Sequence, residues 1–557
     1  MHITINHIGS SVSSVNVTAE LERIPITISG PDTVEVKLAL PIHDLQCYWT
    51  PELRTPSTAL HWHIEAKSSA VKDFPLISFF NLENCNRGTV ALDNLTDDTV
   101  ISAQMNQETG CYDITVRIAV VMPPRTFYLT VDRRPIYWQQ CLHDWRESLG
   151  MIKPDFPKCA WSPVFCTWYA VHAAVTQDWV EANAASAAAL GFGTLIIDDG
   201  WCFEQMKRVS PETIGTWYEM IGDWNVSPVK FPDFCRHVAR VQSLGLKYLL
   251  WVTPALIGTK SKILERITDG VGADSHEGAY TLNPNHHQAT KEVISRIARL
   301  MEEYPLDGLK IDFLDYYRPS LASPTGCSAL KVAATLAEKI RAAKADALIE
   351  FRQSYATPGM VSYATQFRAG DVPFDFLDNF TRLCQVRITM GNGIPIHSDP
   401  VFWRNDELPV NISRHMIAAL AGVPMLSMDL NRLTPEARTI ISYWLNFYRQ
   451  HQKVLNQGNW RVRYHQSNVS YTLAEDSEER IIILNDANAL TSALSDGGAE
   501  RVYVLNLSNT TLSIPGAETW DGRGTHTESG RIIPGGSGSR TEIDGSIGQR
   551  GKCSWAQ

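Results

Sequence analysis

The sequence contains no hydrophobic run long enough to cross a membrane. Its longest apolar stretches, such as the one that begins at Tyr248, are far shorter than the roughly 20 residues that a spanning helix needs. The amino terminus also lacks the basic start and apolar core of a secretory signal. We therefore expect a cytoplasmic protein that has no membrane partner.

Positive charge is scarce as well. The chain carries 50 Lys and Arg residues against 60 Asp and Glu residues, so its formal net charge is −10, and no basic cluster offsets this. Such a balance disfavours nucleic acids and acidic membrane surfaces as partners. A neutral small-molecule substrate fits better.

Cysteine is present without any of the spacings that give it a special role. Eleven cysteines are scattered from Cys47 to Cys553, with no CxxC pair and no Cys/His ligand pattern. This distribution indicates isolated core thiols in a reducing compartment, rather than a disulfide framework or a metal site.

The 557 residues are too many for one domain and divide into three parts by their patterns. Residues 1–135 contain short, partly alternating runs that predict an N-terminal β-sandwich, and residues 136–160 are expected to form a linker. Residues 161–455 alternate apolar strands with amphipathic helices. Residues 456–557 return to a β rhythm and predict a smaller C-terminal β domain.

The central part predicts a (β/α)₈ TIM barrel, because eight strands in about 300 residues match that fold in size and rhythm. A doubly wound open sheet is the alternative, but the GxGxxG phosphate fingerprint is absent and polar residues end several different strands. The predicted strands are Val164–Trp168, Gly193–Asp198, Lys247–Thr253, Gly308–Phe313, Ala347–Phe351, Ala364–Phe367, Ile394–His397 and Pro424–Ser427. The fold class is thus a multidomain one, with a central barrel flanked by two β-sandwiches.

Active sites of TIM barrels lie at the carboxyl ends of the strands, so polar residues that follow the apolar runs are the candidates. The second strand ends in Asp198 and Asp199, followed by Gly200 and Trp201. Two adjacent carboxylates that leave a buried strand are costly unless they bind something. The alternative is a helix-capping Asp beside a turn Asp. Trp201 would offer an aromatic wall for a sugar ring.

The fourth strand carries Lys310 and Asp312, which are two residues apart and therefore project to the same side. A cation beside a carboxylate keeps that carboxylate ionised, as a nucleophile requires, although a buried structural salt bridge would look the same. On the fifth strand Glu350 and Arg352 also share a face, and binding and structural roles are equally open.

The sixth strand is followed by Arg368 and, at the tip of its loop, by Asp371. Two carboxylates from nearby strands can flank a glycosidic bond, where one attacks the anomeric carbon and the other, kept protonated, donates to the leaving oxygen. A separation of about 5–5.5 Å would give retention, and about 6.5–9.5 Å would give inversion. His397-Ser398-Asp399 is interpreted as a group of hydrogen-bonding rim residues, and Trp251 is one of several aromatics that suit a carbohydrate cleft.

In this order the motifs resemble glycoside hydrolase family 36, the α-galactosidase-like melibiase group. They are Asp198-Asp199-Gly200-Trp201, Gly222-Asp223-Trp224, Lys230-Phe231-Pro232, Leu250-Trp251-Val252-Thr253-Pro254, Leu309-Lys310-Ile311-Asp312, His397-Ser398-Asp399 and Trp444-Leu445-Asn446-Phe447-Tyr448.

The resemblance implies a retaining reaction without a metal or cofactor, in which Asp312 is the nucleophile and Asp371 the acid/base. Lys310 and the Asp198/Asp199 pair would hold sugar hydroxyls in the −1 subsite. Glycosides or oligosaccharides would be the substrates, and homo-oligomers are compatible with it.

Two segments depart from the family pattern. Glu350-Phe351-Arg352-Gln353-Ser354 replaces a Gly-rich Cys-Ser-Gly-Gly segment, and Arg368-Ala369-Gly370 precedes Asp371 instead of an aromatic and a Ser. The function predicted is hydrolysis of a terminal α-linked hexose, with galactose as the default.

The alternatives are an enzyme for another or an anionic hexose, a transglycosylase, and a non-catalytic sugar-binding barrel. A phosphate-sugar isomerase or lyase, with Gly391-Asn392-Gly393 as its anion loop, is a further one.

Overall fold

The computed structural model describes residues 2–7, 11–28, 32–121 and 125–541. Cys553 and the rest of the segment 542–557, which belong to the predicted C-terminal domain, lie outside these ranges. None of the helices in the described ranges is both long and apolar enough to span a membrane.

Two antiparallel sheets form the first part of the chain, and they pack face to face as a β-sandwich. The sheets have the strand orders β2-β1-β4-β10-β9-β6 and β3-β11-β8-β7-β5. Ile24, Val90 and Leu129 of the second sheet and Val36 and Ile114 of the first meet in one core between the two. The strands are β1 (His2–His7), β2 (Ser11–Asn16), β3 (Leu21–Ile28), β4 (Asp32–Pro41), β5 (Cys47–Trp49), β6 (His63–Ser68), β7 (Leu76–Phe80), β8 (Asn86–Leu92), β9 (Asp98–Asn106), β10 (Cys111–Val120) and β11 (Arg125–Asp132).

The segment 136–160, expected to be a linker, contains helix α1 (Trp138–Ser148). Trp138 and Trp145 on this helix are buried, and Trp138 stacks on Phe80 with ring centroids 4.9 Å apart. This segment therefore packs against the β-sandwich through large aromatic side chains.

Eight parallel strands form the central barrel, in the order β21-β20-β19-β18-β14-β13-β12-β22, and a parallel bridge between His397 and Val423 brings the two ends together. The TIM-barrel prediction is confirmed, and all eight predicted strands are present. Their bounds are shorter except for the fifth strand, which keeps its length and is displaced by one residue. The strands of this region are β12 (Val164–Cys166), β13 (Thr194–Ile197), β14 (Lys247–Val252), β15 (Leu256–Gly258), β16 (Val271–His276), β17 (Ala279–Leu282), β18 (Gly308–Ile311), β19 (Leu348–Arg352), β20 (Gln366–Arg368), β21 (Ile396–His397) and β22 (Met425–Leu426).

Helices surround the barrel in the alternating pattern expected from the sequence. Their ends follow ordinary capping chemistry: the Thr176 side chain accepts a hydrogen bond from Trp179 N at the start of α3, and Gly191 with φ 92° ends it. The helices of this region are α2 (Trp168–Val171), α3 (Gln177–Leu190), α4 (Phe234–Ser243), α5 (Leu264–Ile267), α6 (His287–Glu303), α7 (Gly326–Ala343), α8 (Phe376–Met390), α9 (Pro409–Ala419), α10 (Pro435–Gln450) and α11 (Gln452–Gln457).

Two features of the barrel did not follow from the sequence patterns. The small antiparallel sheet β15-β17-β16 extends from the loop after β14. Between β19 and β20 the structure has a short 3₁₀ turn (Pro358–Met360) in place of an α-helix.

The last part of the chain is a six-stranded sheet of order β23-β24-β25-β26-β30-β28 packed on the ribbon β27-β29. Leu473, Ile482 and Val504 of the sheet share a core with Leu512 and Ile532 of the ribbon, so this part is the predicted smaller β-sandwich. Its elements are β23 (Asn459–His465), β24 (Asn468–Glu475), β25 (Glu479–Leu484), α12 (Leu490–Ser495), β26 (Arg501–Asn506), β27 (Leu512–Ser513), β28 (Glu518–Trp520), β29 (Arg531–Ile532) and β30 (Ser537–Thr541).

Candidate active site

A small cavity at the carboxyl ends of the barrel strands brings together most of the candidate residues. Its volume is about 30 Å³, room for one or two water molecules. Larger cavities, of about 430 and 560 Å³, lie where other parts of the chain meet, but neither contains these carboxylates. The lining consists of Trp168, Asp198, Asp199, Tyr218, Trp251, Lys310, Asp312, Phe313, Arg368, Asp371, Asp399 and Pro400.

Asp312 directly follows strand β18, and the pairing of this strand with β19 fixes its position. A Cβ atom at Gly308, the first residue of β18, would overlap the Leu348 backbone, so the close pairing with β19 requires glycine there. Asp312 Oδ2 accepts a hydrogen bond from Trp251 Nε1 at 2.9 Å, and Oδ1 accepts one from Phe313 N at 3.0 Å. Arg352 Nε lies 2.7 Å from Oδ1.

These cations determine the charge of Asp312. Burial raises the pKa of Asp312, but the positive charges of Arg352 and Lys310 outweigh burial and hold it below the ordinary value. The buried carboxyl group is therefore ionised, as the sequence led us to expect for a nucleophile.

Lys310 lies between two carboxylates. Its Nζ atom is 2.6 Å from Asp198 Oδ2 and 3.7 Å from Asp312 Oδ2, and all three side chains are buried. Burial lowers the pKa of Lys310, but the two carboxylates raise it by more, so the ammonium group stays charged. Asp198 Oδ1 is also occupied, since it accepts from Asp199 N at 3.0 Å.

Asp199 has a free hydrogen-bonding atom in the cavity. Trp217 Nε1 donates to its Oδ2 at 2.7 Å, whereas its buried Oδ1 has no partner among the described residues. Gly200, with φ 108°, makes the turn after it, where a Cβ atom would overlap Ala173. Burial raises the pKa of Asp199 to about 7, against the hydrogen bond from Trp217. An unpartnered polar atom that lines a cavity is a natural contact for a ligand hydroxyl.

Asp371 lies in the loop after β20, between two arginines. Arg368 Nη1 donates to its Oδ1 at 2.7 Å, and Arg352 Nη1 donates to its Oδ2 at 3.4 Å. Although loss of solvent around the group raises the pKa of Asp371, the charges of Arg368 and Arg352 hold it well below the usual range. In this arrangement of side chains the Asp371 carboxyl is therefore held ionised, and its role as proton donor stays a prediction.

Asp399, which the sequence suggested only as a rim residue, is an internal member of the site. It accepts hydrogen bonds from Arg368 Nη1, Tyr169 Oη and Val372 N, the last two at 2.8 and 2.7 Å. Burial raises the pKa of Asp399 to about 7. Asp399 and Asp371 both accept from the same Nη1 atom of Arg368.

Four predicted substrate contacts do not line the cavity: Trp201, Glu350, Arg352 and His397. Trp201 is completely buried and donates a hydrogen bond through Nε1 to Trp251 O at 2.8 Å. It therefore supports Trp251, which lines the cavity, and does not line the cavity itself. Glu350 and His397 are also buried, and His397 Nδ1 lies 3.2 Å from Glu350 Oε2. The second ring nitrogen of His397 contacts Ala160 O at 2.8 Å. Glu350 and His397 therefore form an internal pair.

The aromatic walls come partly from residues that the sequence analysis missed. Tyr218 stacks on Trp251 with ring centroids 6.4 Å apart, and Phe313 packs edge-on against Tyr218 at 5.4 Å. Phe313 directly follows Asp312, a position that could have signalled it. Tyr218 lies in a long irregular loop that offers no such signal.

The anion loop suggested at Gly391-Asn392-Gly393 is elsewhere. Gly391 follows the last residue of α8, and Gly391 and Asn392 line the separate 430 Å³ cavity. This segment is therefore not part of the cavity that contains the candidate carboxylates and cannot serve as an anion loop for it. No group of three or more metal-ligating side chains is arranged around an ion position in the described ranges.

Comparison with known proteins agrees with this geometry. Residues 139–321 match the Melibiase family model. Over part of its length the chain is similar to this family and to curated α-galactosidases. It is 30% identical over 165 residues to an α-galactosidase of Escherichia coli, which covers 28% of this chain and 22% of that one. It is 26% identical over 180 residues to α-galactosidase 2 of Pediococcus pentosaceus. This alignment covers 31% of this chain and 23% of that one.

Solved structures of α-galactosidases share the whole fold. The GH36 α-galactosidase AgaA from Geobacillus stearothermophilus, solved in complex with stachyose, superimposes with a TM-score of 0.61 at 12% identity, covering 85% of this chain and 71% of that one. An α-galactosidase from Lactobacillus brevis gives a TM-score of 0.65 at 12% identity and covers 97% and 80%.

The sequence matches are confined to part of the site. They span only about a fifth of the length of the curated relatives. The Melibiase match includes Asp198, Asp199, Lys310 and Asp312, and it ends before Glu350, Arg352, Arg368 and Asp371.

Proposed function

We propose that the chain is a retaining α-glycoside hydrolase that releases a terminal α-linked galactose. One observation carries this proposal: Asp312 and Asp371 come from different strands, line one cavity, and are both in contact with the single side chain of Arg352. Two carboxylates this close can act on opposite sides of one anomeric carbon. The α-galactosidase-like sequence around Asp198, Asp199 and Asp312 supports the choice of galactose.

In the first step an oxygen of Asp312 forms a bond to the anomeric carbon as the glycosidic bond breaks. The electron pair of that bond leaves with the departing oxygen, which takes a proton from Asp371. In the second step Asp371 takes a proton from water, the water oxygen bonds to the anomeric carbon, and the ester bond to Asp312 breaks. Lys310 lies within ion-pair distance of both Asp198 and Asp312, and Asp199 Oδ1 is free to bind a sugar hydroxyl.

The free protein is closed to this reaction. A cavity of about 30 Å³ does not admit a pyranose ring, and the guanidinium of Arg352 links Asp312 to Asp371. We therefore propose that the sugar displaces Arg352 on entry. Loss of that cation raises the pKa of Asp371, so the same movement prepares the proton donor.

The charge balance supports a neutral sugar over an anionic one. Arg352 is paired with Asp312, Asp315 and Asp371, and Arg368 with Asp371 and Asp399. Neither arginine is left without a carboxylate. An added anionic group would have to compete with acids that are already in place.

A panel of aryl α-hexosides with anomer-resolved NMR of the first product tests the proposal. It should include the galactoside, the glucoside, the N-acetylgalactosaminide and a hexuronide. We expect turnover of the galactoside and first release of the α-anomer. Release of the β-anomer would show inversion, and no turnover on any member would exclude the hydrolase.

A cytoplasmic location is also part of the proposal. Ten cysteines fall within the described ranges, and all ten are free thiols. Unpaired thiols, five of them buried, suit a reducing compartment.

A further inference from the structure

The cavity of about 430 Å³ lies at the end of the barrel opposite the active site, where three parts of the chain meet. Residues from helix α1, from the end of helix α8 and from strand β23 line it. Gly391 and Asn392, which also line it, lie between the end of α8 and the start of β21, and so at the amino ends of the barrel strands. In the described part of the chain, no residue lines both this cavity, here called the junction cavity, and the active-site cavity.

The lining of the junction cavity is basic, although the chain as a whole has a net charge of −10. None of the lining residues within the described ranges is Asp or Glu, and the cationic or titratable ones are His143, Arg146, Arg387, Arg461 and Arg463. Two of them are compensated from outside the lining, since Arg461 and Arg463 both pair with Asp496, at 3.2 and 2.8 Å. The other two arginines have no such partner at close range.

Arg387 is a buried cation without an acid partner. Its side chain is 3% exposed, and no Asp or Glu of the described ranges forms an ion pair with it. Its Nε donates to Ala421 O at 2.8 Å and its Nη2 to Leu455 O at 3.1 Å, whereas Nη1 has no partner among the described residues. Burial lowers the pKa of Arg387 to about 10, so the group is still charged near neutral pH. A buried cation is costly unless an anion compensates it, so a bound anion would stabilise this one.

Two further donors line the same cavity. Arg146 is buried, and its Nη1 donates to Ile388 O at 2.9 Å. Its ion-pair partner in the described ranges is Glu147, which is 4.0 Å away and 61% exposed. A Cβ atom at Gly391 would overlap the Arg146 guanidinium, so the loop packs on this cation only because glycine stands there. The Gln139 Nε2 atom is buried and has no partner among the described residues.

We propose that the junction cavity binds a small phosphate ester, such as a sugar phosphate, with its phosphate group at Arg387 and Arg146. The planar guanidinium group presents several N–H donors in a geometry that matches phosphate oxygens. A phosphate ester carries a charge of about −1.5 to −2 near neutral pH, which balances the two arginines that lack a close acid partner.

The size of the cavity indicates that the phosphate carries an organic group. A volume of about 430 Å³ exceeds what a phosphate ion needs and lies within the usual range for small-ligand sites. Polar side chains of the lining, such as Gln139 and Asn459, offer groups for the hydroxyls of a sugar. This site is separate from the active site, and the inference does not rest on the proposed function.

Isothermal titration calorimetry of the intact protein tests the proposal. The probes are glucose 6-phosphate, inorganic phosphate, citrate and glucose. We expect glucose 6-phosphate to bind with a Kd at least about tenfold lower than that of inorganic phosphate, and glucose to give no binding. No binding of glucose 6-phosphate would overturn the proposal. So would binding of citrate in preference to both phosphate compounds.

Variants of the lining connect the binding to these donors. Arg387→Lys keeps a positive charge but loses the planar group, and it should raise the Kd for glucose 6-phosphate about tenfold. Gln139→Leu removes an Nε2 that makes no hydrogen bond to the described residues, and should raise the Kd about threefold or more. This second variant keeps the test open if Arg387→Lys does not fold. An unchanged Kd in the folded variants would overturn the proposal.

Arg414→Met is the matched control. Arg414 also donates to a backbone carbonyl, Leu507 O, and also lies over an aromatic ring, that of Phe376, but it does not line the junction cavity. We expect an unchanged Kd for glucose 6-phosphate in this variant. A rise as large as that in Arg387→Lys would indicate an effect of net charge alone and would overturn the proposal.

The position of the anion can be determined directly, because the active site also contains arginines. Crystals of the protein soaked in tungstate, a heavy analogue of phosphate, should show an anomalous peak within hydrogen-bond distance of Arg387 Nη1. A peak beside Arg352 or Arg368 and none beside Arg387 would place the anion in the active site and overturn the proposal. This measurement needs no turnover of any substrate.

Discussion

The two sides of the barrel mouth have opposite charge arrangements. On the side of β13 and β18, one cation, Lys310, lies between two carboxylates, Asp198 and Asp312. On the side of β19 and β20, one carboxylate, Asp371, lies between two cations, Arg352 and Arg368. The neighbouring cations hold the pKa of both Asp312 and Asp371 below the ordinary value, but only Asp312 is thereby suited to its proposed role without change.

This difference indicates which side chains have to move during the reaction. A nucleophile must be ionised in the free protein, and the charges of Arg352 and Lys310 ensure that for Asp312. A proton donor must carry a proton. Asp371 does not, because the guanidinium groups of Arg352 and Arg368 are always positively charged and hold its carboxyl group ionised. The lysine side of the mouth is therefore ready for sugar, whereas the arginine side has to rearrange as the sugar enters.

Removal of the nucleophile should have the largest effect. Asp312→Asn keeps the size of the side chain and its contact with Trp251, yet it should lower kcat for an aryl α-galactoside by about 10³-fold or more, because no covalent intermediate forms. The matched control is Asp315→Asn, which alters another partner of Arg352 at 3.5 Å outside the cavity lining. Similar losses in both variants would contradict the assignment.

Removal of the central cation should have the next largest effect, on stability. Lys310→Met leaves Asp198 and Asp312 as buried acids with fewer positive partners, and breaking such a buried pair costs about 3–5 kcal/mol in the free energy of unfolding. Lys67→Met, which removes an exposed partner of Glu65, should cost less than about 1 kcal/mol. Urea denaturation measures both. An unchanged free energy of unfolding in Lys310→Met would show that the ion pairs of Lys310 with Asp198 and Asp312 do not stabilise the fold.

The raised pKa of Asp199 predicts a pH-dependent stability. A folded pKa of about 7, against about 3.9 when unfolded, contributes stability that is complete below pH 4 and is lost as pH rises through 7. Asp199→Asn cannot ionise. Its free energy of unfolding relative to the native sequence should therefore be higher at pH 8 than at pH 4, by about 2 kcal/mol or more. Denaturation at the two pH values checks this.

The exposed Asp346 provides the control for that experiment. Asp346→Asn should change stability equally at both pH values. The KM for galactoside should also rise in Asp199→Asn if Oδ1 binds a sugar hydroxyl. A pH-independent difference would mean that Asp199 is solvated and that its free oxygen is not buried in the protein in solution.

Arg352 is where the two sides meet, and its removal should make them more alike. Arg352→Met takes a cation from both Asp312 and Asp371, so the pKa of each carboxyl should rise. Both limbs of the pH profile of kcat/KM should then move to higher pH by about one unit or more. Arg352→Lys retains the charge and should shift the profile less. An unmoved profile in Arg352→Met would show that Arg352 already lies away from both acids in solution.

Much of this site could be predicted from the sequence, and the reason is local. Lys310 and Asp312 are two residues apart, so strand geometry alone places them on one side, and the buried strand β13 leads directly to Asp198 and Asp199. The barrel follows from the same alternation of strands and helices. These inferences need only the periodicity of neighbouring residues.

The rest depended on long-range packing that periodicity does not contain. Trp201 follows the Asp pair but turns inward, because its indole N–H finds Trp251 O fifty residues away. The sequence left open whether Arg352 pairs with Glu350 on the same face of β19 or binds substrate. The structure pairs it with Asp312 and Asp371, which follow other strands. Which partner a charged side chain selects depends on the closure of the barrel.

Glu350 gives the smallest expected effect and the sharpest test of this last point. If it is an internal partner of His397 and Gln366, then Glu350→Gln keeps a hydrogen bond to Gln366 and loses only the charge beside His397. The free energy of unfolding should fall by about 1–2 kcal/mol while KM for galactoside stays unchanged. A rise in KM without loss of stability would restore the substrate contact that the sequence suggested. It would also mean that the sugar reaches Glu350, below the ion pairs of Arg352 and Arg368.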